Sequence, residues 1–267
     1  MKLGFIGGGN MASAIISGLI SSGFVSGEEI SVSDKNIEKI AHFTELGVHI
    51  TDNNVAVADG AEVIVFAVKP NILPKVLEET KNVLSGKVVI SIAAGTMLSD
   101  IEKIIGTDKR IVRVMPNTPA QVNCGMAVIC PNKNAKDEDV KIVSDLFDAV
   151  GSSVVLDEKY INAATALHGS SPAYIYMLID AMADSGVKYG IPKDIALKLV
   201  SKTVEGSAKM VMETGIHPSK LCDNVCSPGG TTIAAVCELE KCGFKTALYQ
   251  AIDACVGRAE EMSKQSN

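Results

Sequence analysis

Two glycine-bearing stretches hold the residue types best suited to chemistry. In Gly7-Gly8-Gly9-Asn10-Met11-Ala12, Gly7, Gly9 and Ala12 take the three small-residue positions of a G-x-G-x-x-G/A turn. Such a turn brings backbone close to a pyrophosphate, and the N–H groups of the helix that follows face the phosphates. Far downstream, Ser227-Pro228-Gly229-Gly230-Thr231-Thr232 breaks one helical pattern and opens another, with Thr231 or Thr232 expected as the N-cap. A glycine-rich turn at a helix start suits an anion, a carboxylate included, although a plain interhelical turn has the same composition.

Other side chains are candidates by position. Asp34 follows the run Glu29–Ser33. In a dinucleotide fold an acidic residue there accepts from the ribose 2′-OH and repels a 2′-phosphate, which leans towards NAD. Ser33, Lys35 and Asn36 could instead receive that phosphate, and a turn or cap role would also explain Asp34. Lys69, in the strand-ending Ala67-Val68-Lys69-Pro70, reads as a base or as a solvated lysine. His168 could be a proton donor, yet a helix-end histidine without a catalytic role is the simpler reading. Cys222, Cys226, Cys237 and Cys242 fit no common zinc spacing, so no metal is expected.

The elements that must place these residues follow from periodicity. Apolar runs at Leu3–Ile6, Glu62–Val68, Lys87–Ile92 and Arg110–Met115 read as strands, and the nearly continuous Glu62–Val68 as one covered on both faces. Helical patterns lie between them, at Asn36–Leu46, Asn53–Ala58, Asn71–Leu84 and Leu98–Ile105. Small residues at Ala93-Ala94-Gly95 would let a flat nicotinamide ring approach a strand end, and Pro116-Asn117-Thr118-Pro119 makes a stiff loop on the same edge. Ala127–Cys130 and Ser153–Leu156 read as later strands around a helix at Asp137–Val150. Strands and helices alternate to about residue 155, giving a doubly wound Rossmann-type α/β sheet over 1–155. Residues 156–267 show only helical periodicity, at Tyr160–His168, Ala173–Tyr189, Lys193–Glu213, Thr232–Cys242 and Lys245–Ser263. The apolar faces around Ala163, Leu167, Tyr174, Met177, Leu178 and Met182 exceed what such a helical unit buries alone, which predicts dimerisation.

Composition narrows the function classes. A net charge of −6 without a Lys/Arg cluster argues against a nucleic-acid or anionic-membrane partner. No apolar run reaches the roughly 20 residues that span a bilayer. Seven cysteines, an odd number, fit free thiols in a reducing compartment. With no secretion signal read at the N-terminus, a cytoplasmic location is expected.

FIGGGNMA at 5–12, AVKP at 67–70, MPNTPA at 115–120, HGSSPAY at 168–174 and DNVCSPGGTT at 223–232 occur in an order and spacing that resembles pyrroline-5-carboxylate reductases. These enzymes catalyse the last step of proline synthesis. The resemblance covers essentially the whole chain, and its most specific part is the DNV-SPGGTT segment. It implies an N-terminal dinucleotide domain and an all-α C-terminal half that intertwines in a dimer, with dimers forming larger rings. NADPH or NADH would lie against Ile6, Gly7, Gly8, Gly9, Asn10 and Met11, with the adenosine ribose near Ser33, Asp34 and Asn54. Ala67, Val68, Lys69 and Pro70, and Ile92, Ala93 and Ala94, would line the dinucleotide. The substrate, 1-pyrroline-5-carboxylate, would be held by Ser227, Gly230, Thr231 and Thr232, with Asn224 nearby and Glu158 at the edge. The Thr232 hydroxyl would bond the ring nitrogen, since a hydroxyl can both donate and accept.

Two other readings compete. A reductase of another cyclic imino acid would share this layout, whereas a β-hydroxyacid enzyme would need a lysine on the first long C-terminal helix. Between Lys159 and Tyr174 no further lysine occurs. A non-catalytic NAD(P)-sensing module would be expected to have a degraded second turn, yet Asn224, Ser227, Gly229, Gly230 and Thr232 are all present.

Overall fold

The structure, a computed structural model, describes residues 1–265, so the last two residues of the expected 156–267 half lie outside the described residues. The chain forms two compact units, one of 1–170 with the final segment from Cys255, the other of 171–254. The division expected at residue 155 thus falls before the break after Ser170.

The first unit is an eight-stranded sheet with helices between its strands. In chain order it contains β1 (Leu3–Ile6), α1 (Asn10–Ser21), β2 (Ile30–Ser33), α2 (Ile37–Ile40), β3 (His49–Thr51), α3 (Asn54–Gly60), β4 (Val63–Phe66) and α4 (Leu73–Thr80). Next come β5 (Val88–Ser91), α5 (Leu98–Ile105), β6 (Arg110–Met115), β7 (Gly125–Pro131), α6 (Asp137–Asp148), β8 (Gly151–Val155) and α7 (Ile161–Ala164). The strand order is β3-β2-β1-β4-β5-β6-β7-β8. Every pair is parallel except β6 and β7. The short link after β6 accounts for that exception, because a parallel return needs a longer crossover.

Strand period 2 splits the core between the two faces of the sheet. Phe5, Val65, Ile90 and Val112 pack with Ile15, Leu19 and Phe147 on one side. Ile6, Ile64, Phe66 and Val89 pack with Leu73, Leu77 and Ile101 on the other. Fully burying a side chain such as Phe66 or Ile15 contributes about 1.5–3 kcal/mol, so the sheet is anchored from both sides and its edge loops are held on a stiff frame. The strands are shorter than the apolar runs. The run 62–68 pairs only over Val63–Phe66, leaving Ala67–Pro70 as an edge segment, and the helix expected at Asn71–Leu84 is α4 followed by a 3-10 turn, Lys81–Val83.

After α7 the chain makes a π-helical turn, Thr165–Gly169. The second unit contains α8 (Ser171–Lys188), α9 (Lys193–Thr214), α10 (Pro218–Val225), α11 (Thr231–Lys241) and the start of α12 (Phe244–Gln265). Helix α10, absent from the periodicity reading, begins with Pro218 in its first turn and the His217 ring as its cap. Large side chains stay exposed on this unit, among them Tyr176, Met177, Tyr189 and Met212. No described helix is long and apolar enough to cross a membrane.

Candidate active site

In the first unit, backbone hydrogen bonds gather four segments at the carboxyl edge of the sheet. Ile6 pairs in register with Ser33 on β2 and with Phe66 on β4, and Phe66 pairs with Ser91 on β5. Beyond those residues Gly7 N–H donates to Ser33 O (2.7 Å), Ala67 N–H to Ile6 O (2.8 Å) and Ile92 N–H to Phe66 O (3.1 Å). Ile6–Met11, Ser33–Asp34, Ala67–Pro70 and Ile92–Ala94 therefore start from one edge.

The turn between β1 and α1 tolerates little besides glycine at its first two positions. Gly7 has φ +100°, and a Cβ on it would lie 2.7 Å from Ala67 O. A Cβ on Gly8 would lie 2.0 Å from Ile40 Cγ2. At Gly9 the nearest atom to an added Cβ is Lys39 Nζ, 3.9 Å away, so the outer side of this glycine is open. Gly9 is the N-cap of α1, and no side chain caps that helix. Close backbone, an uncapped helix start and a nearby ammonium together fit a pyrophosphate.

Asp34 leaves β2 beside this turn. Its Oδ2 accepts from Gly8 N–H (3.0 Å) and its Oδ1 from Asn36 N–H (3.0 Å). Its neighbours are engaged elsewhere. The buried Ser33 hydroxyl donates to Asn54 Oδ1 (2.8 Å), and Asn54 Nδ2 donates to Glu79 (3.0 Å). The Asn36 side chain accepts from Lys39 N–H and caps α2. Lys69 is exposed, and its carbonyl accepts from Ile72 and Leu73 at the entry to α4.

Glu158 has partners that the sequence did not announce. Its Oε1 accepts from Leu98 N–H at the start of α5 (2.8 Å) and from Arg113 Nη1 (2.9 Å). Arg113, on β6, has a side chain only 3% exposed. The signal available was a lone cation inside an apolar strand, because such a charge requires a partner when buried. An adjoining depression of 620 Å³ is lined by Leu98, Glu102, Asn132, Asp157 and Glu158.

His168 lies in the π-helical turn of the same unit. Its Nδ1 is 2.6 Å from Ala164 O and its Nε2 is 2.8 Å from Met115 O. Asn117 adds a second tie, donating to His168 O (3.0 Å) and accepting from Met126 N–H (2.8 Å). The ring lies between two backbone carbonyls, the protonated nitrogen donates to the one it faces, and the histidine ties its turn to the end of β6.

The second unit carries the other turn. Helix α10 ends where Cys226 N–H reaches the carbonyls of Cys222 and Asp223, and Cys226 itself turns extended. Gly229 adopts φ +68°, and Gly230 N–H donates to Ser227 O (3.0 Å). Gly230, not Thr231 or Thr232, is the N-cap of α11, and it offers no side-chain acceptor. The expected threonine cap is thereby corrected: the chain enters the helix one residue early, putting both threonines in its first turn. A Cβ on Gly230 would lie 2.2 Å from Ser227 Oγ, so this hydroxyl packs directly against the glycine. The N–H groups that open α11 have no side-chain cap, and Thr231 and Thr232 are the first two residues of that helix. Asn224 is in the last turn of α10.

The cysteines of this region are free. Desolvation and a hydrogen bond to the Cys222 thiol push the Cys226 thiol up from its ordinary value. Among the described residues no group of three or more His, Cys, Asp or Glu is placed to hold a metal ion.

Comparison with known proteins adds independent findings. Residues 158–262 match the family described as pyrroline-5-carboxylate reductase dimerisation, and residues 2–95 match the coenzyme F420-dependent NADP oxidoreductase family. The chain is 44% identical to a pyrroline-5-carboxylate reductase of Escherichia coli, over 98% of both chains. It is 43% identical to one of Arabidopsis thaliana, over 98% of this chain and 96% of the relative. Among solved structures, a Coxiella burnetii pyrroline-5-carboxylate reductase superposes with TM-score 0.92 at 38% identity, covering 98% of each chain. A Plasmodium falciparum pyrroline carboxylate reductase with NADP bound gives TM-score 0.90 at 35% identity, again over 98% of each.

Proposed function

Because this chain belongs to the pyrroline-5-carboxylate reductase family, we propose that its two uncapped helix-start turns divide the work of reducing a cyclic imine. The enzyme reduces 1-pyrroline-5-carboxylate to L-proline with NAD(P)H and self-associates through its C-terminal dimerisation domain. The observation that carries the residue assignment is the start of α11, where an uncapped N-terminus and two threonine hydroxyls follow the Ser227–Gly230 turn.

Bound NAD(P)H supplies the hydride that adds to the C=N carbon of the substrate. In our assignment Ile6–Met11 hold the pyrophosphate at the start of α1, with Ser33, Asp34 and Asn54 around the adenosine ribose. Ala67–Pro70 and Ile92–Ala94 give it a flat wall at the strand ends. The substrate carboxylate lies on the N–H groups that open α11, where the helix dipole favours negative charge, held by Ser227, Gly230 and Thr231 with Asn224 beside them. Thr232 bonds the ring nitrogen and so fixes which carbon is presented for reduction. Its hydroxyl accepts from the N–H of the protonated imine, which already carries the proton of the product amine, so hydride addition alone completes the reduction and no strong protein acid is needed. Glu158 takes the edge of the site in this assignment, with its carboxylate oriented by Arg113.

We further propose a cytoplasmic location and assembly of dimers into a ring. The exposed Tyr176, Met177 and Met212 support contacts with other copies, and sedimentation equilibrium reads the assembly size. The functional reading is tested by following loss of reduced-nicotinamide absorbance with 1-pyrroline-5-carboxylate and identifying the product as proline. No turnover with either cofactor would overturn it.

A further inference from the structure

We propose that Asp34 makes NADH the preferred reductant of this enzyme, by fixing a carboxylate at the end of β2 where the 2′-phosphate of NADPH has to be received. The inference rests on the reading of the chain as a nicotinamide-dependent reductase. It deepens that reading by choosing between the two cofactors.

The geometry removes the alternatives one at a time. The Asp34 carboxylate is tied at both oxygens, to Gly8 N–H and to Asn36 N–H, each at 3.0 Å. It cannot swing away from an incoming phosphate without giving up the bond to the glycine turn. Gly8 cannot move with it easily, because fully buried Ile40 lies against that glycine. Of the neighbours that could receive a phosphate, Ser33 is buried and its hydroxyl donates to Asn54. Asn36 is oriented by its side-chain oxygen, which caps α2, and has only an uncharged amide N–H to offer a phosphate. Lys39 has its ammonium beside Gly9, at the turn that serves the pyrophosphate, a group common to both cofactors. Lys35 is an exposed lysine, and among the described residues no hydrogen bond orients it against the turn as Asp34 is oriented. The group preorganised at the ribose side is therefore an anion, which accepts bonds from the 2′- and 3′-hydroxyls of NADH and repels a phosphate there.

The test measures binding of NADH and of NADPH to the substrate-free enzyme by calorimetry, alongside kcat/KM for each. Wild type should bind NADH at least tenfold more tightly than NADPH. In Asp34→Asn, and in Asp34→Ser as a second variant, the gap should shrink at least tenfold, mostly through better NADPH binding. Equal or tighter NADPH binding by wild type would overturn the proposal, as would an unchanged gap in folded variants. If neither variant folds, the wild-type ratio alone decides. Absence of turnover alongside a clear NADH preference in binding would instead count against the reductase reading and leave this one standing.

Discussion

Replacing Gly8 by alanine should separate the packing role of the first turn from its binding role, with Gly9→Ala as the matched control. At Gly8 the new methyl would stand 2.0 Å from Ile40 Cγ2, a branched methyl on a side chain with 0% exposure. Ile40 has no free end to bend away, so α2 or the turn itself must shift. Overpacking of this kind costs about 1–3 kcal/mol. For a domain of this size that corresponds to a loss of about 2–12 °C in Tm. Because Gly8 N–H also anchors Asp34, the shift should weaken cofactor binding too, by about 5–150-fold if the whole cost falls there. At Gly9 the nearest atom to a new methyl is a lysine end 3.9 Å away and φ is −74°, so the folded protein should lose less than about 1 kcal/mol. Cofactor affinity should nevertheless drop, since the methyl occupies the surface that a pyrophosphate must approach. Differential scanning calorimetry and titration calorimetry on both variants read the two effects. Adding Ile40→Ala to Gly8→Ala should restore affinity while lowering Tm further through the cavity it leaves. Gly8→Ala with wild-type Tm and affinity, or Gly9→Ala with wild-type affinity, would refute this account of the turn.

Three further outcomes follow from the same geometry. Glu158→Ala strands the nearly buried Arg113 and should destabilise by about 3 kcal/mol, whereas Arg113→Met with Glu158→Leu should recover most of it in a denaturant double-mutant cycle. His168→Gln should lower Tm while leaving the pH–rate profile superimposable on wild type, because the ring is held between the backbone carbonyls of Ala164 and Met115. Burial pushes the Cys130 thiol up to about 11, so near pH 8 only about one molecule in a thousand carries its thiolate. Alkylation of the native enzyme should therefore mark exposed Cys124 and spare Cys130 until the protein unfolds, as mass spectrometry would show.

The elements most readable in the sequence were those whose environment is uniform along their length. β5 and β6 are buried on both faces, so their apolar runs stand out, and the expected bounds of α5 and β6 coincide with the observed ones. Strand ends were less readable. Ala67 and Val68 continue the apolar run past the last paired residue of β4: Ala67 N–H still reaches Ile6 O, and its carbonyl then lies against Gly7. Helix α10 carries no residue buried in this unit, so no apolar stripe marks its period, and Pro218 at its start is its one local signal. Of the site, both turns were legible because glycine spacing is a local signal. The partners of Glu158 and His168 were not, for two different reasons. Arg113 lies 45 residues from Glu158, and the groups that hold the histidine ring are backbone carbonyls, which leave no mark on residue type. The helix start at Thr231 instead of Thr232 came from Gly230 serving as the cap, a choice between adjacent residues that composition alone does not make.

The assignment of the second turn as the substrate site is tested most directly by Thr232→Val beside Thr232→Ser, with kcat and reduced-cofactor affinity measured on the same preparations. Valine keeps the shape and removes the hydroxyl, so kcat should fall about 100-fold or more while cofactor affinity stays within about twofold, and serine should retain most of the rate. A valine variant with wild-type kcat, or one that loses cofactor affinity in place of kcat, would contradict it.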